Sequence, residues 1–122
     1  MGEINSYKDL LIWQKGMQIA ELTYSLAFDF PNDEIYSLTN QVKRSSVSVP
    51  SNIAEGFGRN STLSYMNFIK ISRGSLYELE TQLILAKRLN FVANGALYDS
   101  IINLITEEGK MINTLLNKLK SK

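Results

Sequence analysis

The sequence predicts an all-α protein, an antiparallel up-down-up-down bundle of four helices, from three observations. Apolar residues recur at steps of three and four along four long segments, which places them on one face of a helix. The single short stretch with strand-like alternation, residues 45–49, has no second strand in the chain with which to pair. Short connections join the four segments, and such connections place consecutive helices side by side in opposite directions.

Composition and charge limit the classes of protein that this chain can belong to. With 122 residues, 44% hydrophobic and 20% charged, the chain suits one folded domain, residues 1–122. Its net charge of +1 gives no overall field for nucleic acid or anionic lipid, and no apolar run approaches the roughly 20 residues of a membrane span. The absence of Cys fits a reducing cytoplasm. The start, MGEINS, matches a myristoylation pattern whose few fixed positions recur by chance.

The first helix is predicted over about residues 7–28. Ser6, followed three residues later by Asp9, suits its start, and Phe30-Pro31 ends it because a residue before proline avoids the helical conformation. Two apolar lines run along this helix, one through Leu10, Trp13, Met17, Ala20, Tyr24 and Ala27, the other through Ile12, Ile19 and Leu26. Two such lines indicate that the helix is covered on two sides.

The second helix is predicted over about residues 33–57, with a kink at Pro50. Proline removes a backbone hydrogen bond, and its ring clashes with the preceding turn, at a cost of about 3 kcal/mol if nothing compensates. We expect the surrounding Ser hydroxyls to bond to the carbonyls that the bend sets free. The helical reading rests on an apolar line that continues through the proline: Ile35, Leu38, Val42, Val49, Ile53 and Phe57.

The same helix carries a line of polar residues at helical steps: Gln41, Ser45, Ser48, Asn52, Glu55 and Arg59. Two interpretations remain open, a solvated face and a hydrogen-bonded seam against another helix or subunit. The small Ser and Asn residues favour the seam, because an open face usually carries long charged side chains.

The third and fourth helices are predicted over about residues 62–89 and 96–120. The third has an apolar line through Tyr65, Ile69, Ser72, Leu76, Leu79, Leu83 and Ala86, and a second line through Phe68, Ile71 and Ser75. The fourth, entered through Asn94-Gly95, has Tyr98, Ile102, Ile105, Gly109, Ile112, Leu116 and Leu119. We expect Gly109 to let another backbone come close. The second lines on the first and third helices would be exposed in a monomer and predict a homo-oligomer.

Catalytic and metal chemistry find little support in the sequence. A di-iron site in a four-helix bundle uses Glu-x-x-His pairs, and the chain has no His. The Ser-rich segment around Pro50 has no base to activate a nucleophile. Glu78 and Glu80 point to different sides of their helix, and Glu107 and Glu108 are adjacent, so neither pair converges. We therefore expect no enzyme, no cofactor and no metal.

A local excess of positive charge is the candidate for nucleic-acid binding. Between residues 43 and 73, five basic residues stand against one acid, so this part carries +4 and the remainder −3. The candidate contacts to the phosphate backbone of RNA or DNA are Lys43, Arg44, Arg59 and Arg73. The competing interpretation is that these residues are solvated or form ion pairs.

Four sequence motifs occur in a fixed order: YKDLLIWQKG at 7–16, FPNDEIYSLTNQVKR at 30–44, SVPSNIAEG at 48–56 and GSLYELETQL at 74–83. Together they resemble the pattern of the bacterial 23S rRNA-intervening sequence protein family, over about residues 7–89, although Gly16 stands where an Ala is more usual. The resemblance implies a structural role for Pro31, Gln41, Ser48, Pro50, Asn52, Glu55, Gly56, Gly74, Ser75 and Glu78.

The resemblance also implies a fold and an assembly. Members are antiparallel four-helix bundles that assemble as homopentamers, and a related branch, the accessory variability determinant of diversity-generating retroelements, forms a basic pentamer that binds nucleic acid and a reverse transcriptase. The near-neutral charge of this chain departs from that branch. We expect a non-enzymatic, cytoplasmic homo-oligomeric scaffold that binds RNA or DNA, or a nucleic-acid-processing protein. The alternative is a structural assembly that docks a partner protein or peptide without nucleic acid.

Overall fold

The computed structural model describes residues 3–121, and over this range the chain is all α-helical, without strands. Its helices are α1 (Leu11–Ala27), α2 (Leu38–Phe57), α3 (Thr62–Arg88) and α4 (Gly95–Lys120). Short 3-10 turns at Tyr7–Asp9 and Asn32–Glu34 precede α1 and α2. Met1, Gly2 and Lys122 lie outside the described residues, and so does the start of the myristoylation pattern. None of the helices in the described range is long and apolar enough to cross a membrane.

The first two helices begin later than the apolar spacing indicates, each after a 3-10 turn. Ser6 and Asp9 form a reciprocal capping pair, in which the Ser6 hydroxyl accepts from the Lys8 N–H and the Asp9 carboxylate accepts from the Ser6 N–H. This pair caps the short turn, because Leu10 is extended (φ −74°, ψ 127°) and separates the turn from α1. A turn at residues 35–37 separates the second 3-10 turn from α2, and its last residue, Ser37, has φ −125° and ψ −113°.

The helices form a four-helix bundle in which α1 and α3 each pack against both α2 and α4. On α3 the buried residues follow the predicted line from Ile69 to Ala86. On α1 the predicted second line faces the core, because Gly16 and Thr23 complete a buried stripe with Ile12, Ile19 and Leu26. The predicted first line is partly outside, and its members Met17 and Tyr24 are exposed.

The helix α2 continues through Pro50 without interruption. The Ser46 hydroxyl donates to the Lys43 carbonyl at 2.8 Å and not to the Ser46 carbonyl, which is the one that Pro50 leaves without its amide donor. Within the described residues no side-chain donor bonds to the Ser46 carbonyl, so the expected compensation by neighbouring Ser hydroxyls is not found there. The adjacent Val49 carbonyl is tied to α3, since the Ser72 hydroxyl donates to it at 2.8 Å.

The glycine in the middle of α4 does not admit another backbone, contrary to the sequence prediction. The nearest atom to the position that a Cβ on Gly109 would take is Cδ2 of Leu76, at 3.8 Å, which is an ordinary contact with a side chain. Gly109 is nevertheless buried, because it lies on the core side of α4 between Ile105 and Ile112. The close approach of a backbone occurs at a different glycine, Gly56.

Candidate binding surfaces

The middle of the polar line on α2 packs against α3 through hydrogen bonds. The buried Ser45 hydroxyl donates to Oε1 of Gln82 at 2.7 Å, and the hydroxyls of Ser48 and Ser75 lie 2.8 Å apart. The Asn52 amide donates to the Ser48 carbonyl at 2.8 Å and to its hydroxyl at 2.9 Å. This part of the line is therefore a polar seam within one chain, while the remaining residues are exposed: Gln41, Glu55 and Arg59.

A depression of about 460 Å³ opens on the polar seam. Two of its lining residues, Arg44 and Glu78, are exposed, and neither forms an ion pair within residues 3–121. The other lining residues supply amide and hydroxyl groups: Gln41, Ser45, Ser48 and Gln82. The depression can therefore offer both hydrogen-bond donors and acceptors, and both signs of charge, to a polar ligand.

Two of the four candidate phosphate contacts lie on opposite sides of the bundle. Lys43 lies over the ring of Tyr24 on α1, with Nζ 5.1 Å from the ring centroid. Arg73 donates to Oδ1 of Asn113 on α4 at 2.9 Å. The pair α1 and α2 and the pair α3 and α4 form opposite sides of the bundle, so Lys43 and Arg73 do not share a surface.

The other two candidate contacts are also separated. Arg44 lies at the depression on the polar seam, whereas Arg59 follows the end of α2. The Arg59 guanidinium is 3.5 Å from the Glu55 carboxylate and stacks over the Phe68 ring, 4.5 Å from its centroid. Of the four basic side chains, Arg44 is the one that makes neither an ion pair nor a cation–π contact nor a side-chain hydrogen bond in the described range. The structure does not bring the four residues together.

Two glycines of the motifs have different environments. A Cβ on the buried Gly56 would lie 2.7 Å from Cβ of Phe68 and 3.1 Å from Cδ1 of Tyr65, so α2 and α3 approach too closely there for a side chain. Gly74 is exposed in the middle of α3, and a Cβ on it would meet nothing within 4 Å. Glycine in a helix interior costs about 1 kcal/mol relative to Ala. No contact within residues 3–121 requires a glycine at position 74, so the structure of the single chain does not explain this cost. Pro31, also exposed, precedes the second 3-10 turn.

The carboxyl group of Glu108 is buried in the core, with 0% of the residue exposed. Neither of its oxygens has a hydrogen-bond partner within the described range, and a Cβ on Gly16 would lie 3.2 Å from Oε2. Burial raises the pKa of Glu108 from 4.5 to about 8, and the positive charge of Lys15 partly opposes the rise. Lys15 itself bonds to the exposed Glu107 at 2.8 Å. The Glu108 carboxyl is therefore mainly protonated at neutral pH.

Two apolar surfaces near the middle of the bundle lack cover from the described chain. The α1–α2 groove, of about 350 Å³, is lined mainly by Trp13, Met17, Ala20, Val47, Pro50 and Ala54. The α3 face is the outer side of α3 around Gly74, where Ile71, Tyr77 and Leu85 are 51%, 48% and 47% exposed. Exposed apolar surfaces of this kind mark sites of interaction. A third depression, of about 790 Å³, lies between the N-terminal segment and the last turns of α4.

The comparison with known protein families decides the relationship of this chain. Residues 8–114, which span most of its length, match the family described as 23S rRNA-intervening sequence protein. The chain belongs to that family. The resemblance predicted from the four motifs is thereby confirmed.

A solved structure shows the same fold as this member of the 23S rRNA-intervening sequence protein family. It is the crystal structure, at 1.70 Å resolution, of a protein with unknown function from the S23 ribosomal protein family of Bacteroides thetaiotaomicron VPI-5482. The two chains superpose with a TM-score of 0.78 at 24% sequence identity, over 87% of this chain and 98% of that chain. No curated protein matches this chain.

The buried Glu108 is the main feature that the sequence analysis missed. Glu108 lies three residues after Ile105 and four before Ile112, so it stands on the core side of α4 by the same helical spacing that identifies the apolar line. The predicted apolar line passes through the adjacent Gly109, which fits the same spacing because it lies four residues after Ile105 and three before Ile112. The structure buries both positions.

Proposed function

We propose that this protein is a non-enzymatic, self-associating scaffold that binds a partner protein or peptide. The observation that supports it is the α3 face. Gly74 lies in an exposed part of α3, where a Cβ would meet no atom of residues 3–121 within 4 Å, and Ile71 and Tyr77 are exposed beside it. A second chain packed closely against Gly74 gives all three residues a role. The number of copies we propose, five, and a bacterial origin come from the family resemblance, and the cytoplasmic location we propose comes from the absence of Cys.

The proposal includes an antiparallel bundle with a bend in α2 at Pro50. The antiparallel order is supported by the polar seam, in which Ser45 lies against Gln82 and Ser48 against Ser75, so that residue numbers rise along α2 as they fall along α3. The bend is supported by the missing amide of Pro50, which opens one turn of α2.

Replacement of Pro50 by Ala is expected to weaken self-association by about tenfold or more, or about 1.4 kcal/mol. Pro50 lines the α1–α2 groove, and restoration of the amide would straighten α2 and reshape the groove. Light scattering across a dilution series gives the association constant, and thermal unfolding gives the stability. Asn40→Ala, at an exposed position of α2 that does not line the groove, is the control. A Pro50→Ala protein with unchanged mass and unchanged stability would contradict the proposed role of the proline.

The proposed function is tested by size-exclusion chromatography with light scattering at low salt, with absorbance recorded at 260 and 280 nm. We expect a mass near five chains of 13.8 kDa and no excess absorbance at 260 nm. A monomer at every concentration would refute the proposal. A stable assembly of another size would keep the scaffold and reject the pentamer.

A second candidate function is binding of the RNA or DNA backbone, and one observation favours it. Arg44 is exposed and forms no ion pair within residues 3–121, although Glu78 lines the same depression with Gln41 and Gln82, and an oligomer would repeat it once per copy. In the same chromatography, excess absorbance at 260 nm that high salt removes would support this function. Lys43→Ala with Arg44→Ala should then abolish the excess, whereas the matched double variant Arg59→Ala, Arg73→Ala should leave most of it. An unchanged affinity and salt dependence in the first double variant would exclude the assignment.

A further inference from the structure

The α1–α2 groove and the α3 face are two exposed apolar surfaces of the same chain. We propose that copies of this chain associate head to tail, with the α3 face of one copy lying in the α1–α2 groove of the next. This inference rests on the self-association proposed above and names the two surfaces that carry it. The occupant of the groove is therefore a second copy of the same chain.

The groove is concave and has a floor of small side chains. Ala20, Pro50 and Ala54 are three of its lining residues, and Met17 and Val47 are 38% and 42% exposed. Helices approach one another most closely where the residues at the contact are small. The groove can thus receive a helix from another molecule, provided that the entering helix also presents a small residue.

The α3 face presents such a helix. Gly74 lies at its centre with open space above it, so the backbone of α3 can come close to the groove floor. Ile71 and Tyr77 lie three residues before and after Gly74 and project on its two flanks, where they would meet the groove walls. The glycine that lacks a role in the single chain is the position at which a close contact between two copies needs no side chain.

The positions and charges of the two surfaces allow one copy to use both at once. The groove belongs to α1 and α2, and α1 and α3 are not neighbours in the described bundle, since each packs against α2 and α4, so the two surfaces lie on different sides of the bundle. Glu21 stands in the groove lining and Lys70 lies one turn before Gly74, and neither forms an ion pair within residues 3–121. A helix in the groove can place Lys70 beside Glu21 of the next copy.

A symmetric pairing of two α3 faces about Gly74 is the main alternative, since it would set Lys70 against Glu78 of the second copy. That pairing stops at two copies and leaves the α1–α2 groove uncovered. The head-to-tail contact covers both apolar surfaces with a single type of interface, and its repetition closes a ring when the rotation between copies allows it.

Three single variants that each introduce a glutamate test the inference. Gly74→Glu blocks the α3 face, Val47→Glu blocks the groove, and Asn103→Glu on the exposed side of α4 is the matched control. All three positions are exposed, and circular dichroism with thermal melting confirms that each variant is folded. Ile71→Glu and Ala54→Glu replace the first two if either fails to fold.

The decisive measurement is the mass of each variant and of a one-to-one mixture, by size-exclusion chromatography with light scattering. We expect Gly74→Glu and Val47→Glu to be monomers alone, and their mixture to form a complex of two chains that grows no further, because it contains one intact face and one intact groove. The control should keep the mass of the natural protein.

Each other outcome overturns the head-to-tail contact. If Val47→Glu keeps the natural mass while Gly74→Glu is a monomer, two α3 faces pair symmetrically. The converse indicates pairing of two grooves, and natural mass in both variants shows that neither surface is used. These three results leave self-association standing, whereas a monomeric natural protein removes the proposed function itself.

Discussion

Replacement of Glu108 by Gln is expected to remove most of the dependence of the free energy of unfolding on pH between about 5 and 8. Burial raises the pKa of Glu108 from 4.5 to about 8 in the folded chain. Between these values the folded chain holds a proton that the unfolded chain releases, so the stability of the natural protein falls as pH rises. The slope is about 1.4 kcal/mol for each pH unit, and the contribution is complete below about pH 4.5 and lost above about pH 8.

Urea unfolding at intervals from pH 5 to pH 9 measures this slope. The chain has no His, the side chain whose ordinary pKa lies between pH 5 and pH 8, so no other side chain with an ordinary pKa adds a titration in this range. The variant should be at most as stable as the natural protein at pH 5 and more stable at pH 9. Glu107→Gln is the matched control, because Glu107 is exposed and its ion pair with Lys15 contributes less than about 1 kcal/mol. A natural protein with equal stability at pH 5 and pH 8 would show that Glu108 is not buried as a neutral acid.

Replacement of Gly56 by Ala is expected to lower the free energy of unfolding by about 2 to 3 kcal/mol. The new Cβ would lie 2.7 Å from Cβ of Phe68, and that atom cannot move without the backbone of α3. The Tyr65 carbonyl, 3.2 Å from the same position, blocks a shift of α2 in another direction. The gain in helix propensity from Gly to Ala, about 1 kcal/mol, is too small to offset the clash.

Chemical unfolding of the Gly56→Ala and Gly109→Ala variants, compared with each other, separates the effect of the steric clash from the effect of helix propensity. Both glycines are buried in helices, but a Cβ on Gly109 meets only Cδ2 of Leu76 at 3.8 Å. We therefore expect Gly109→Ala to be as stable as the natural protein or more stable, by up to about 1 kcal/mol. Equal stability of the two variants would mean that α2 and α3 separate easily at Gly56.

Helical spacing predicts α3 well and α1 less well, for a physical reason. On α3 the core positions carry large apolar side chains with one Ser, so the buried stripe stands out. On α1 the core stripe includes Gly16 and Thr23, whereas Met17 and Tyr24 lie outside. A sequence shows that a helix has two apolar lines, but the neighbouring helices decide which line they cover. The late starts of α1 and α2 depend on the extended Leu10 and on the turn at residues 35–37, to which apolar spacing is insensitive.

The candidate sites could likewise be predicted in part from the sequence. The polar line on α2 could be recognised from its spacing, but its partners could not, because Gln82 and Ser75 belong to a helix whose position along α2 is set by the fold. The basic residues look like one cluster in the sequence, yet α2 and α3 point them in different directions. Residues that are close in the sequence of a helix can point to different sides of it, since each residue is rotated by about 100° from the one before it.

The polar seam fixes the longitudinal position of α2 against α3. Apolar side chains that repeat at every turn can be exchanged for one another if a helix slides, but the bonds from Ser45 to Gln82 and from Ser48 to Ser75 form in one alignment. A slip of one turn, about 5.4 Å, would break both. In the head-to-tail assembly proposed above, the same slip would displace the α1–α2 groove relative to the α3 face along the bundle axis. That displacement would repeat from copy to copy as a rise, so we infer that the polar seam favours a flat closed ring over an open spiral of unlimited length.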